Sequence, residues 1–187
     1  MSAGISKKGK NTIPKIMETL SAAVTSACTS TSLKIPKVSI EPGRALIGPS
    51  MFTIYEVGTT KEVVLENGKV RNYVSVDGGM SDNIRPSLYG AIYTAKIANR
   101  ESSSKKRDSR IVGKHCETGD ILISEIDFPG DVIPGDLIAI AATGAYNRSM
   151  ASNYNHVLKP PVIAVKDGKA RVILRRETEK DLLSLDV

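Results

Sequence analysis

At 187 residues, with 41% hydrophobic and 25% charged side chains, the chain has the size of one domain, or of one domain with a piece of another, and a composition that excludes global disorder. Much of its formal charge of +6 sits in Lys7, Lys8 and Lys10 and in the run Lys105, Lys106, Arg107 and Arg110, with no aromatics interleaved to stack on bases, so nucleic acid is not an expected partner. Cys28 and Cys116 form neither a disulfide framework nor a metal-ligand spacing, and no stretch resembles a signal peptide or a membrane span, so the expected setting is cytoplasmic, with no metal and no membrane.

Residues 1–10 are polar and read as a loose terminus. Asn11-Thr12 can cap a helix with Pro14 in its first turn, and Ile16, Leu20, Val24 and Cys28 recur every fourth position on one face. The Ser/Thr cluster at 29–32 ends that helix. Lys37 to Ile40 then predicts a short strand running into Glu41-Pro42-Gly43-Arg44. A helix followed by a short strand and a polar turn is the repeating unit of an α/β barrel. One unit cannot bury both faces of its strand, so the barrel is completed elsewhere or is absent. Left bare, the apolar helix face predicts association or poor solubility unless a partner covers it.

From about residue 51 the texture becomes strands and turns. Met51 to Leu65 and Val70 to Val76 are predicted strands around Asn67-Gly68, a hairpin turn whose two central positions both need positive φ. Ile111 to Cys116 and Ile121 to Ile123 flank Thr118-Gly119, and Leu137 to Ala142 follows Pro134-Gly135. Pro161 to Val165 and Ala170 to Leu174 form a second hairpin around Asp167-Gly168. Ser102 to Ser109 reads as a mobile surface loop. The fold class expected is mostly β: an antiparallel Greek-key barrel or sandwich.

Four polar segments stand out. Glu41-Pro42-Gly43-Arg44 places a glycine at a strand end and a planar fork suited to carboxylate or phosphate; it fits a tight turn with a surface arginine equally well. Asp77 to Tyr89 follows an apolar strand, and on a helical turn Arg85 and Tyr89 would face the same way; an ordinary long loop is the alternative. In His115-Cys116-Glu117-Thr118-Gly119-Asp120 a thiol beside a carboxylate suits acid/base work, or Cys116 is a half-buried strand cysteine. In Thr143-Gly144-Ala145-Tyr146-Asn147, Tyr146 suits an anion or a flat ring, or it covers the end of the barrel.

The order and wording of these segments carry a resemblance. Glu41-Pro42-Gly43-Arg44, Val76 to Pro86, Cys116 to Asp120, Thr143 to Asn147 and Met150 to Asn155, closed by Arg175-Arg176-Glu177-Thr178, are together similar to the C-terminal half of diaminopimelate decarboxylases over about residues 37–187. Related ornithine and arginine decarboxylases carry Cys-Asp where this chain has Cys116-Glu117, which favours the diaminopimelate branch. The resemblance implies a pyridoxal-phosphate-binding α/β barrel, of which residues 1–48 would be a remnant of one helix and the last strand, followed by a β-barrel domain over 49–187. It implies decarboxylation of meso-diaminopimelate to L-lysine, the cofactor acting as electron sink. Glu41, Pro42, Gly43 and Arg44 would lie at the cofactor phosphate, with Arg44 also reaching the substrate. Arg85 and Tyr89 would hold a substrate carboxylate, and Glu117 the substrate ammonium. Cys116 would return the proton, and Tyr146 would touch cofactor and substrate. A homodimer with sites between subunits, or pairing with the missing barrel half, is implied as well. The family's cofactor-linked lysine, its ring-covering histidine and its glycine-rich phosphate loop have no counterpart here, and His115 and His156 stand in the wrong places to substitute. The chain alone is therefore expected to bind cofactor weakly and to turn over little or nothing. The alternative is an inactive binding or regulatory subunit that pairs with a full-length decarboxylase.

Overall fold

The computed structural model describes residues 13–187; the polar terminus and the Asn11-Thr12 cap lie outside the described residues. The predicted helix is α1 (Ile13–Ser30). Its inward stripe is Ile13, Met17, Leu20, Val24 and Cys28, all half-buried, whereas Ile16 is 42% exposed. The seam is thus turned from the expected one towards Met17. Met17, Leu20 and Val24 face Ile35, Pro36 and Val38 across a shallow apolar groove, and no residue of α1 is fully buried.

Lys37 to Ile40 is not a strand. The segment is exposed and makes no ladder, so the last strand of the expected barrel remnant is a correction. A strand exists through its neighbours' hydrogen bonds, and no described segment pairs with this one. The chain turns directly into a short helix, α2 (Gly43–Ile47), and a 3-10 turn at Gly48–Ser50.

Eight strands follow: β1 (Phe52–Val64), β2 (Val70–Val76), β3 (Ala95–Ile97), β4 (Lys106–Val112), β5 (Ile121–Pro129), β6 (Leu137–Ala141), β7 (Val162–Lys166) and β8 (Lys169–Leu174). Two short helices interrupt them, α3 (Arg85–Tyr89) and α4 (Asn147–Met150), and a third, α5 (Glu179–Leu182), follows β8. Six strands form one sheet in the order β3-β6-β1-β2-β4-β5, and β7-β8 stand as a separate hairpin. The expected all-antiparallel sheet is corrected: β2 and β4 run parallel, so the sheet is mixed. A parallel pair needs a long crossover, and the segment from Asp77 to Lys105, carrying α3 and β3, provides it.

Period-two burial explains the strands. In β2, Asn72, Val74 and Val76 are buried while their neighbours are half-buried; in β6, Ile138 and Ile140 point inward. Tyr55, Val57, Val74, Ile111, Leu122, Phe128, Ile138 and Ile140 meet in one cluster, so strands from both halves of the sheet curl around a shared, barrel-like interior. Each such large apolar side chain contributes roughly 1.5–3 kcal/mol on full burial. The long β1 makes the curl possible by changing partners: residues 52–56 pair with β6, and from Val57 onward it pairs with β2, with a register shift between Val57 and Thr60.

The two hairpin turns differ. At Asp167-Gly168 both residues have positive φ, 50° and 71°, the two-residue turn expected there. At Asn67-Gly68 only Gly68 does (φ 76°); Leu65 N–H bonds to Lys69 C=O at 2.8 Å, so Glu66-Asn67-Gly68 is a three-residue loop. The predicted mobile loop at 102–109 is also corrected. Its second half is β4, and its approach is held by Arg100, which grips Asp136 with two bonds of 2.7 Å, and by Ser102 bonded to Asp131 at 2.7 Å. Among the described residues no helix is long and apolar enough to cross a membrane.

Candidate active site

The loop after β2 and the loop between β4 and β5 are held together by one carboxylate. Asp120, 3% exposed, accepts the Met80 N–H at 2.6 Å on one oxygen and the His115 N–H at 2.7 Å on the other. This explains two glycines: a Cβ on Gly79 would stand 2.6 Å from the Asp120 carboxylate, and one on Gly113 would stand 2.2 Å from it. Asp82 closes the first loop, accepting the Gly79 N–H at 2.8 Å and the Tyr55 hydroxyl. Burial raises the Asp82 carboxyl above its ordinary range, and burial beside Asp82 pushes the Tyr55 phenol well up. The glycines therefore serve loop-on-loop packing.

That loop delivers Arg85 to the first position of α3. Arg85 is 8% exposed, donates to the Tyr93 hydroxyl at 3.0 Å, and lies 5.4 Å from the centroid of the Tyr146 ring. Its Nε is buried without a partner, and no carboxylate among the described residues pairs with it. Tyr89, at the other end of the same short helix, is 62% exposed, so the two do not share an environment as their spacing suggested. The reason is tertiary: Arg85 turns inward to Tyr93, and α3 ends at Gly90 in the left-handed conformation.

Cys116 and Glu117 lie on an exposed turn, not in a strand, because β4 ends at Val112; the reading of Cys116 as a half-buried strand cysteine is set aside. Asp120 N–H to Glu117 C=O, at 3.0 Å, forms the turn. The Glu117 carboxylate accepts the hydroxyl of Tyr154, whose phenol pKa that bond raises. Tyr154 stands edge-on to the buried His115 ring, centroids 5.4 Å apart, and His115 Nε2 lies 2.9 Å from Ser81 Oγ.

The fourth polar segment packs just beyond the short helix that Gly43 and Arg44 open. Gly144 N–H bonds to Gly48 C=O at 3.1 Å and Thr143 N–H to Met51 C=O at 3.0 Å, seating the 143–145 turn against the end of α2. Arg44, partly buried, has no carboxylate partner among the described residues. Glu41 is exposed, Pro42 is half-buried, and a side chain at Gly43 would meet nothing within 4 Å. Tyr146 is 52% exposed and holds φ at 73° with ψ at −33°, a sparsely populated conformation that costs a non-glycine residue roughly 1–3 kcal/mol. Strain of that kind gathers at ligand sites.

The structure thus brings the polar segments and their flanks together: Arg85 lies beside Tyr146, Met80 bonds to Asp120, Gly144 bonds to Gly48 at the end of the helix that Gly43 and Arg44 open, and Glu117 bonds to Tyr154 in the stretch after Asn147. Tyr93, Ser81, Asp120 and Tyr154 were not singled out from sequence. Ser81, Asp120 and Tyr154 lay inside distinctive motifs, which was the available signal; Tyr93 carried none.

The family described as pyridoxal-dependent decarboxylase, C-terminal sheet domain, matches residues 45–144. The chain belongs to that family, and the cofactor class of the family is pyridoxal phosphate. Within it, the chain is similar to diaminopimelate decarboxylases. It is 49% identical to that of Corynebacterium efficiens over 175 residues (94% of this chain, 38% of the relative) and 51% identical to that of Mycobacterium tuberculosis over 175 residues (94% of this chain, 39% of the relative). The crystal structure of the Helicobacter pylori diaminopimelate decarboxylase complexed with L-lysine superposes with a TM-score of 0.74 at 34% identity, over 97% of this chain and 42% of that one. The chain spans less than half the length of these relatives.

Proposed function

We propose that this chain supplies the C-terminal half of the active site of a cytoplasmic decarboxylase that converts meso-diaminopimelate to L-lysine and carbon dioxide, the other half residing in an α/β barrel. In this reading residues 1–48 belong with that barrel and 49–187 form the sheet domain. The observation that carries the proposal is Arg85: a buried guanidinium with an unpartnered Nε and, among the described residues, no carboxylate to neutralise it. Buried charges are ordinarily paired, so the site asks for an anion from outside the chain, and a substrate carboxylate meets the guanidinium fork.

Pyridoxal phosphate fits the residues available. Arg44 lacks a carboxylate partner among the described residues, the space at Gly43 is open, and the Tyr146 ring is half exposed beside Arg85. Glu41, Pro42, Gly43 and Arg44 would hold the phosphate end, and Tyr146 would lie against the cofactor and the substrate. When bound, the cofactor takes up the electron pair left by the departing carboxylate.

The chain's own residues do the rest. Arg44 and Arg85 bind carboxylates. Tyr89, exposed at the end of its helix, closes over a carboxylate at the protein surface. Glu117 accepts the far ammonium of the substrate. The exposed Cys116 thiol holds the proton delivered to the carbon that has lost carbon dioxide. Because Cys116 and Glu117 stand on an exposed loop, they suit a site completed by a second copy, as a homodimer would provide.

The test is an L-lysine assay with pyridoxal phosphate and meso-diaminopimelate, with the chain alone and with the barrel half of a diaminopimelate decarboxylase relative added. No lysine from the chain alone and lysine from the mixture is the expected pattern. Lysine from the chain alone would overturn the half-site reading, and none from a folded mixture would overturn the activity.

A further inference from the structure

Glu117 stands on an exposed turn, and a glutamate in that position ordinarily samples many rotamers. Here it does not stand free. Its Oε1 accepts the Tyr154 hydroxyl, and among the described residues no other donor reaches the carboxylate, which leaves Oε2 open. Tyr154 is in turn fixed from below. Its ring meets His115 edge-on at 5.4 Å and 70°. His115 is buried, with Nε2 2.9 Å from Ser81 Oγ and its N–H bonded to Asp120 at 2.7 Å. Ser81 also accepts the Ser152 N–H on its carbonyl at 2.8 Å, which anchors the segment carrying Tyr154. Ser81 thus ties His115 to the Tyr154 segment, and both support the same hydroxyl.

We propose that Tyr154 is a positioning residue for Glu117: it holds one carboxylate oxygen so that the other is presented to the substrate's ammonium, with His115 and Ser81 as its support. The inference rests on the reading of Glu117 as the ammonium-binding group. The physical gain is preorganisation. A carboxylate already held in one arrangement loses little freedom when the ammonium arrives, so the substrate binds more tightly without any change in the reacting bonds.

The experiment has two arms. On the chain itself, NMR follows ionisation of the Tyr154 Cζ signal with pH. The midpoint is expected above that of an ordinary tyrosine and is expected to fall in Glu117→Gln; an ordinary midpoint unmoved by Glu117→Gln overturns the hydrogen bond and the proposal with it. In the active decarboxylase, with the barrel half and pyridoxal phosphate present, Tyr154→Phe keeps the ring on His115 and removes only the hydroxyl. It is expected to raise KM for meso-diaminopimelate about three- to tenfold with kcat unchanged, the effect of freeing one side chain. In a Glu117→Gln background the same change is expected to add nothing, whereas a merely structural tyrosine would raise KM again. If Glu117→Gln raises KM and Tyr154→Phe does not, the positioning role is wrong and the reading of Glu117 stands. If Glu117→Gln leaves KM unchanged, the reading of Glu117 falls and the positioning role with it.

Discussion

The Arg85 guanidinium carbon stands 5.4 Å from the centroid of the Tyr146 ring, although the two residues leave different strands by different loops. Arg85 is buried and Tyr146 is half exposed, so the pair spans the boundary between interior and solvent. An anion arriving at the surface can reach a charge that is otherwise shielded.

Arg85→Lys should therefore lose the planar fork while keeping the charge. With the substrate carboxylate as partner, kcat/KM in the active decarboxylase should fall on the order of tenfold to a hundredfold, the value of a charge-assisted pair. Steady-state kinetics on meso-diaminopimelate decide it. Unchanged kcat/KM would remove Arg85 from the site.

Cys116→Ala should separate chemistry from stability. The side chain is exposed, so the folding stability read by denaturation should change by no more than about 0.5 kcal/mol. If the thiol supplies the proton, kcat should fall on the order of 10²–10⁴-fold. A variant with near-normal kcat would assign the proton to another group.

Asp120→Ala should act in the opposite way. Its carboxylate accepts the N–H groups of Met80 and His115, and its removal leaves both donors without their partner. The loss should be about 2–3 kcal/mol of folding stability, read by urea denaturation. Gly113→Ala should also destabilise, because the new methyl would meet the same carboxylate at 2.2 Å. Stability equal to that of the wild-type chain in either variant would contradict the loop-on-loop contact.

The Arg100–Asp136 pair fixes the sign of an acid effect. Its bond to Arg100, followed by the Ile133 N–H, holds the Asp136 carboxyl below its ordinary range. A depressed carboxyl adds stability above its unfolded-state pKa, about 3.9, and that contribution is lost as pH falls through the lower folded value. The chain should lose stability progressively below about pH 4, and Asp136→Asn should be less stable at neutral pH with a shallower acid limb. Thermal melts between pH 3 and pH 7 test this; an identical acid limb in the variant would show that other carboxylates carry the effect.

Much was legible in the residue order. Short apolar, β-branched runs bounded by turn residues marked β2 and β6, and Asp167-Gly168 marked its turn, because each depends on residues close together in the chain. The distinctive segments, read in sequence, were enough to place the chain among the decarboxylases. Lys37 to Ile40 reads as a strand by the same local rule, yet strand formation needs a partner, and local pattern carries no information about one. Period-two patterning states which face is buried, not which neighbour lies alongside or in which direction it runs, so the parallel β2–β4 pair was invisible.

The sequence by itself thus determined the β-rich character, two turn positions and the family, all properties of local spacing and residue type. Only the tertiary structure decided that Arg85 is buried and Tyr89 exposed, that Asp120 ties two loops together, and that Tyr154 meets Glu117 across 37 positions of chain. Those contacts arise from how one curled sheet brings distant loops to a common place, and that is set by the sum of many long-range interactions rather than by any residue's neighbours.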